Sequence, residues 1–140
     1  MSRRVLFFDD FPLESENQLF LLKLRKAFRG TDVAIEDEKK IPSLEVLLTT
    51  RPFAAIILDI MAAFPADPEL EALAGIEVLK RCRSGQYGPL NQNALVYMRT
   101  ARGEFNVREI ASKFGSTGYF RPGSDDDELI AELQRRLLEV

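Results

Sequence analysis

Four apolar runs punctuate the chain, and each stops abruptly at polar residues. VLFF (5–8) ends at Asp9-Asp10, FAAIIL (53–58) at Asp59, the run within the expected strand NALVYM (93–98) at Arg99-Thr100, and that within the short strand TGYF (117–120) at Arg121-Pro122. Runs that are apolar at consecutive positions suit strands covered on both faces, as in parallel sheets. A fifth, weaker strand is expected over TDVAIED (31–37).

Between these strands the apolar positions switch to helical spacing. Leu19, Phe20, Leu22, Leu24, Ala27 and Phe28 predict a first helix, with Gly30 as its stop. IPSLEVLLTT (41–50) predicts a second, with Ser43 as N-cap and Arg51-Pro52 beyond its end. GIEVLKRCR (75–83) and NVREIASKFG (106–115) predict the third and fourth. SDDDELIAELQRRLLEV (124–140) predicts the fifth, capped by Ser124 or Asp125, with acids in its first turn and arginines later, as the helix dipole prefers. Five strands alternating with five helices predict one α/β domain over 1–140: a five-stranded parallel sheet with helices on both faces.

Composition narrows the function. At 140 residues the chain is long enough for one substantial core. A net charge of -3 argues against nucleic acid or an anionic membrane as the main partner. The single cysteine, Cys82, has no partner for an internal disulfide, which fits a reducing cytoplasm, the expected location. With no histidine, a Cys-His nucleophile and a histidine-built zinc site are excluded. No apolar run approaches the length of about 18 residues that a transmembrane helix needs. MSRR leads straight into a strand, so no secretory signal is expected.

The candidate chemistry lies where the strands end. In open parallel sheets, sites form at the carboxyl ends of the strands, where the strand order reverses. Asp9 and Asp10 follow the first strand, Asp59 the third, Thr100 the fourth and Arg121 the fifth. Any one of these has an ordinary explanation as a turn former, a loop residue or a surface charge. Their concentration at one sheet edge points to a site. Adjacent carboxylates such as Asp9 and Asp10 repel each other, and a hard divalent cation such as magnesium would neutralise them.

With these residues in place, the sequence resembles the receiver domain of two-component response regulators, the CheY-like family, over essentially its whole length. RVLFFDD resembles the opening strand with its acidic pair, and AAIILDIM the phosphoacceptor strand with Asp59 as acceptor. GIEVLKRCR is similar to the third helix, and ALVYMRTA to the strand that ends in a hydroxyl and a small residue, Thr100 and Ala101. GYFRP approximates the Gly-Tyr-x-x-Lys-Pro element before the last helix. The resemblance implies a (βα)5 flavodoxin-like/CheY-like fold and a phosphoacceptor signalling domain, with at most self-phosphorylation and autodephosphorylation as activity. It implies that Asp59 takes a phosphoryl group from a sensor histidine kinase or phosphotransfer protein. Mg2+ would be held by Asp10, Asp59 and the backbone carbonyl of Met61, with Asp9 acting directly or through water. Phosphoryl oxygens would rest on the Thr100 hydroxyl and the Ala101 amide. Inward movement of Thr100 would reshape the face of the fourth helix, fifth strand and fifth helix, which a downstream target protein recognises and where a homodimer would form.

Two features depart from the family. Its lysine is missing: Gly118-Tyr119-Phe120-Arg121-Pro122 is one residue short, leaving Arg121 as the candidate substitute and Tyr119 one position out for the aromatic switch residue. The connection after Asp59 (62–74) is long and carries Asp67, Glu69 and Glu71, as a solvated loop or as a lid beside the acceptor. The missing lysine motivates a second reading, a degenerate receiver acting as a phosphorylation-independent protein-interaction module. A haloacid-dehalogenase-like phosphohydrolase would need an acid two residues after its nucleophile, where Phe11 and Met61 stand instead. A flavodoxin-like cofactor binder is disfavoured because DDFPLES (9–15) is acidic where a bound phosphate needs glycine and hydroxyls. The sequence shows no output module after its last helix, so any downstream effect is expected through a partner or through a segment beyond this sequence.

Overall fold

The computed structural model describes residues 3–9, 15–59, 74–100 and 105–138. The ten expected elements follow in order: β1 (Arg3–Asp9), α1 (Ser15–Ala27), β2 (Val33–Glu38), α2 (Ile41–Thr50), β3 (Ala55–Asp59), α3 (Ala74–Arg83), β4 (Leu95–Arg99), α4 (Phe105–Lys113), β5 (Gly118–Phe120) and α5 (Asp126–Leu138). The five strands form one parallel sheet in the order β2-β1-β3-β4-β5. That order reverses between β1 and β3, so the crevice where such sheets bind ligands lies at the carboxyl ends of these two strands.

Strand alternation sorts the core into two layers. Val5, Phe7, Ala55, Ile57 and Tyr97 face Phe20 and Leu24 of α1 and Leu129 and Leu133 of α5. Leu6, Phe8, Ile56, Leu58, Val96 and Met98 face Leu44 and Leu48 of α2 and Val78 and Leu79 of α3. Both faces of the central strands are therefore buried, which is why their sequences are apolar at every position.

Several boundaries differ from the sequence expectation for local reasons. β2 starts two residues late because Thr31 closes the turn after α1: its Oγ1 donates to the Phe28 carbonyl at 2.7 Å and accepts the Val33 N–H at 3.1 Å. Gly30 takes the left-handed φ of 80° that this turn requires. β3 starts at Ala55, because the Phe53 N–H is taken by the Asn91 side chain at 2.8 Å. Ser43 does not cap α2: the helix begins earlier, after extended Lys40, and Pro42 occupies the first turn, where its missing N–H leaves no bond unmade. β4 continues through Arg99, one residue past its apolar run. Before α5, the Asp125 carbonyl accepts the Leu129 N–H at 2.9 Å while its carboxylate accepts the Arg121 N–H at 2.8 Å. Among the described residues no helix is long and apolar enough to cross a membrane.

Candidate functional site

Asp9 and Asp59 are direct partners in the β1–β3 register, at the last positions of their strands. Both are buried, with 6% and 1% of their surface exposed. Alternation continues Phe7 into Asp9, Ile57 into Asp59 and Tyr97 into Arg99, so all three side chains lie on the α1–α5 side of the sheet edge. Three neighbouring strands thus deliver two carboxylates and one guanidinium to the same corner.

Arg99 organises that corner. Its side chain has no exposed surface, and burying an unpaired guanidinium is prohibitive, so its donors must be met. Nη1 donates to Asp59 Oδ2 and, at 2.6 Å, to Asn17 Oδ1 of α1. Nε and Nη2 form a two-pronged fork on the Asp126 carboxylate of α5, at 2.8 and 3.0 Å. The Phe20 ring lies 4.3 Å from the guanidinium carbon, and Phe7, packed edge-on against Phe20, lies 5.8 Å away. Burial by itself would push the arginine's pKa down. The Asp126 bonds and the Asp59 charge outweigh that and hold it above its ordinary value.

Asn17 extends the network. Its amide oxygen accepts from Arg99 while its NH2 donates to Asp9 Oδ1 at 3.0 Å. Asp126 Oδ2 also accepts the Gly123 N–H at 3.0 Å, fixing the start of α5. Among the described residues, Arg99 is the one buried cation: Asp59 and Asp126 accept from it directly, and Asp9 is linked to it through Asn17. A cavity of about 210 Å³ lies between α1 and the end of β2, lined by Phe7, Asp9, Asn17, Gln18, Leu21, Asp37, Glu38 and Lys39.

The remaining expected residues fall differently. Thr100 lies at the same sheet edge, 8% exposed, with its N–H donated to the Phe120 carbonyl at 3.1 Å. Arg121, the candidate lysine substitute, is exposed; the guanidinium on Asp59 belongs to Arg99. Tyr119 is half-buried with Arg108 of α4 over its ring at 5.8 Å. Asp10, Met61, Ala101 and the connection from residue 62 up to α3 lie outside the described residues.

Carboxylate oxygen is the donor a hard cation prefers, and Asp9 and Asp59 supply it side by side. Among the described residues, however, no three acidic, cysteine or histidine side chains converge as a metal site, and Asp59 is held by Arg99. The donor type of Asp9 and Asp59 suits a divalent cation, with the Arg99 guanidinium already bonded to one Asp59 oxygen.

Arg99 closes the apolar run ending at Met98 without standing out as a site residue, and Asn17 and Asp126 lie outside those runs. Their signal is positional: Asn17 shares the buried stripe of α1 with Phe20 and Leu24, and Asp126 that of α5 with Leu129, Ile130 and Leu133. Polar residues on core stripes of two helices and one strand imply mutual partners.

No family model and no curated protein matches this sequence. Solved structures do match its fold. The signal receiver domain of a DNA-binding response regulator from Colwellia psychrerythraea superposes with a TM-score of 0.76 at 17% identity, covering 99% of this chain and 100% of that one. The receiver domain of a Francisella response regulator gives 0.68 at 21% identity, covering 96% of each chain. The receiver domain of a Pseudomonas aeruginosa sensor histidine kinase, solved with a magnesium ion coordinated in its active-site cleft, gives 0.68 at 16% identity over 99% of this chain and 100% of that one.

Proposed function

We propose, from the CheY-like receiver fold that the chain adopts, that it is a signalling receiver domain whose phosphoacceptor is Asp59. The observation that carries this reading is the buried Asp9–Asp59 pair, set in register at the carboxyl ends of β1 and β3 where the strand order reverses. An Asp59 oxygen would attack the phosphorus of a phosphohistidine on a sensor histidine kinase or phosphotransfer protein. The phosphorus–nitrogen bond breaks, the imidazole leaves, and an acyl phosphate forms. A carboxylate is a weak nucleophile, so the site contributes positioning and charge neutralisation. Arg99 supplies one positive charge on Asp59, and the Thr100 hydroxyl and Ala101 amide are proposed to hold the phosphoryl oxygens. Magnesium, when bound, would add neutralisation, with Asp9, Asp10, Asp59 and the Met61 carbonyl as the proposed ligands. The output would be a protein contact through the α4–β5–α5 face, to a target or to a second copy, in the cytoplasm.

One observation favours a second reading. Arg99 already pairs with Asp59 from within the fold, which fits a phosphorylation-independent interaction module. Incubation with magnesium and acetyl phosphate, followed by intact mass, separates the two. A gain of one phosphoryl group that vanishes in Asp59→Asn supports the phosphoacceptor. No gain in the wild type leaves the interaction module.

A further inference from the structure

Arg99 meets Asp59 and Asp126 unequally. Asp126 receives both prongs of its fork, whereas Asp59 receives Nη1 alone, and that same nitrogen also bonds Asn17. The Asp59 link is therefore the single-pronged one, and opening it leaves the guanidinium anchored on α5 and over the Phe20 ring. We infer that Arg99 is a resident counter-cation, one that must surrender or share Asp59 before a divalent cation can be held there.

The inference rests on the reading of Asp59 as a receiver site and deepens it. A guanidinium and a dication drawn to one carboxylate repel each other, so each lowers the affinity of the other. Asp9 is tied into the same equilibrium, because the Asn17 amide that donates to it accepts from Arg99. Loading the site would pull on α1 through Asn17 and on α5 through Asp126, two helices whose first turns carry those residues.

Calorimetric titration of Mg2+ into wild type and Arg99→Gln tests this, with circular dichroism establishing that the variant is folded. Removing the guanidinium is expected to tighten Mg2+ binding about tenfold or more, the scale on which one adjacent charge shifts proton binding to a carboxylate. Equal or weaker binding to folded Arg99→Gln overturns the inference, as does no binding to either protein. Should Arg99→Gln fail to fold, the wild type decides: the Arg99 Nε–H resonance of 15N-labelled protein is expected to move on saturation with Mg2+. A resonance that stays put while Mg2+ binds overturns the inference. The phosphoacceptor reading is scored separately, by the Asp59-dependent mass gain from acetyl phosphate. A receiver with an idle Arg99 and a counter-cation without phosphate chemistry thus give different results.

Discussion

A guanidinium with no exposed surface persists only while carboxylates and an aromatic face replace its water, and Arg99 has all of these. Arg99→Met strands Asp59 and Asp126 as buried charges, and is expected to lower stability by about 3–5 kcal/mol in urea titration. Arg99→Lys recovers only part of that, because one ammonium cannot reproduce the fork on Asp126. Cys82 makes the opposite case, a buried group with little chemistry. Its thiol donates to the Asn91 carbonyl at 3.1 Å, and burial raises its pKa. Iodoacetamide is expected to leave it untouched in the folded protein and to label it fully in denaturant. Rapid labelling of the native state would mean that α3 does not pack as described. At this scale the sequence marked Asp9, Asp59 and Thr100, because each follows an apolar run that ends at it or just before it. Arg99 ends such a run too, but as a charge closing a strand it carried no role; Thr100 was singled out for one only by the family resemblance. The Arg99 partners Asn17, Asp59 and Asp126 stand 82, 40 and 27 positions away, and only the folded topology brings them together.

All ten elements were legible because helical spacing of apolar positions alternates with short apolar runs, while their ends depend on single hydrogen bonds from elsewhere. Asn91, in the connection between α3 and β4, shows the cost of those distant bonds. It accepts the Phe53 N–H and donates to the Leu48 and Arg51 carbonyls at 2.8, 2.8 and 2.7 Å, tying the end of α2 to the approach to β3. Asn91→Ala is expected to cost roughly 1–3 kcal/mol for each buried backbone group left unmet, measured by chemical denaturation. The α5–β4 joint adds an electrostatic element to its apolar packing. Glu132 accepts the Tyr97 hydroxyl at 3.0 Å and pairs with Arg135 and Arg136. Burial tends to raise its pKa, but the Arg135 and Tyr97 bonds prevail and hold it below the usual glutamate value. A depressed carboxyl stabilises the fold above its unfolded pKa, and that contribution disappears as pH falls through the folded one. Glu132→Gln keeps an acceptor for Tyr97 but removes the charge. The stability gap between wild type and this variant should be present at neutral pH and close below the ordinary glutamate range.

Across the described residues of the whole molecule, the two sides of the sheet are built differently. The α2–α3 side packs apolar side chains along the strands as far as Phe8, Leu58 and Met98. The α1–α5 side is apolar only as far as Phe7, Ile57 and Tyr97, and then passes into the chain Asp9–Asn17–Arg99–Asp126, with Asp59 on its flank. A perturbation at Asp59 thus has a polar route into α1 and α5, and meets close-packed hydrocarbon on the other side. Hydrogen exchange on Arg99→Met tests this asymmetry, provided the variant remains folded. Amides 20–24 of α1 and 129–133 of α5 are expected to lose protection first, because their helices lose the bonds to Asn17 and Asp126. Amides 45–48 of α2 and 79–82 of α3, anchored by Leu44, Leu48, Val78 and Leu79, are expected to stay near wild type. Uniform loss across all four segments would instead make the two layers one cooperative unit, with no preferred path from the sheet edge to α5.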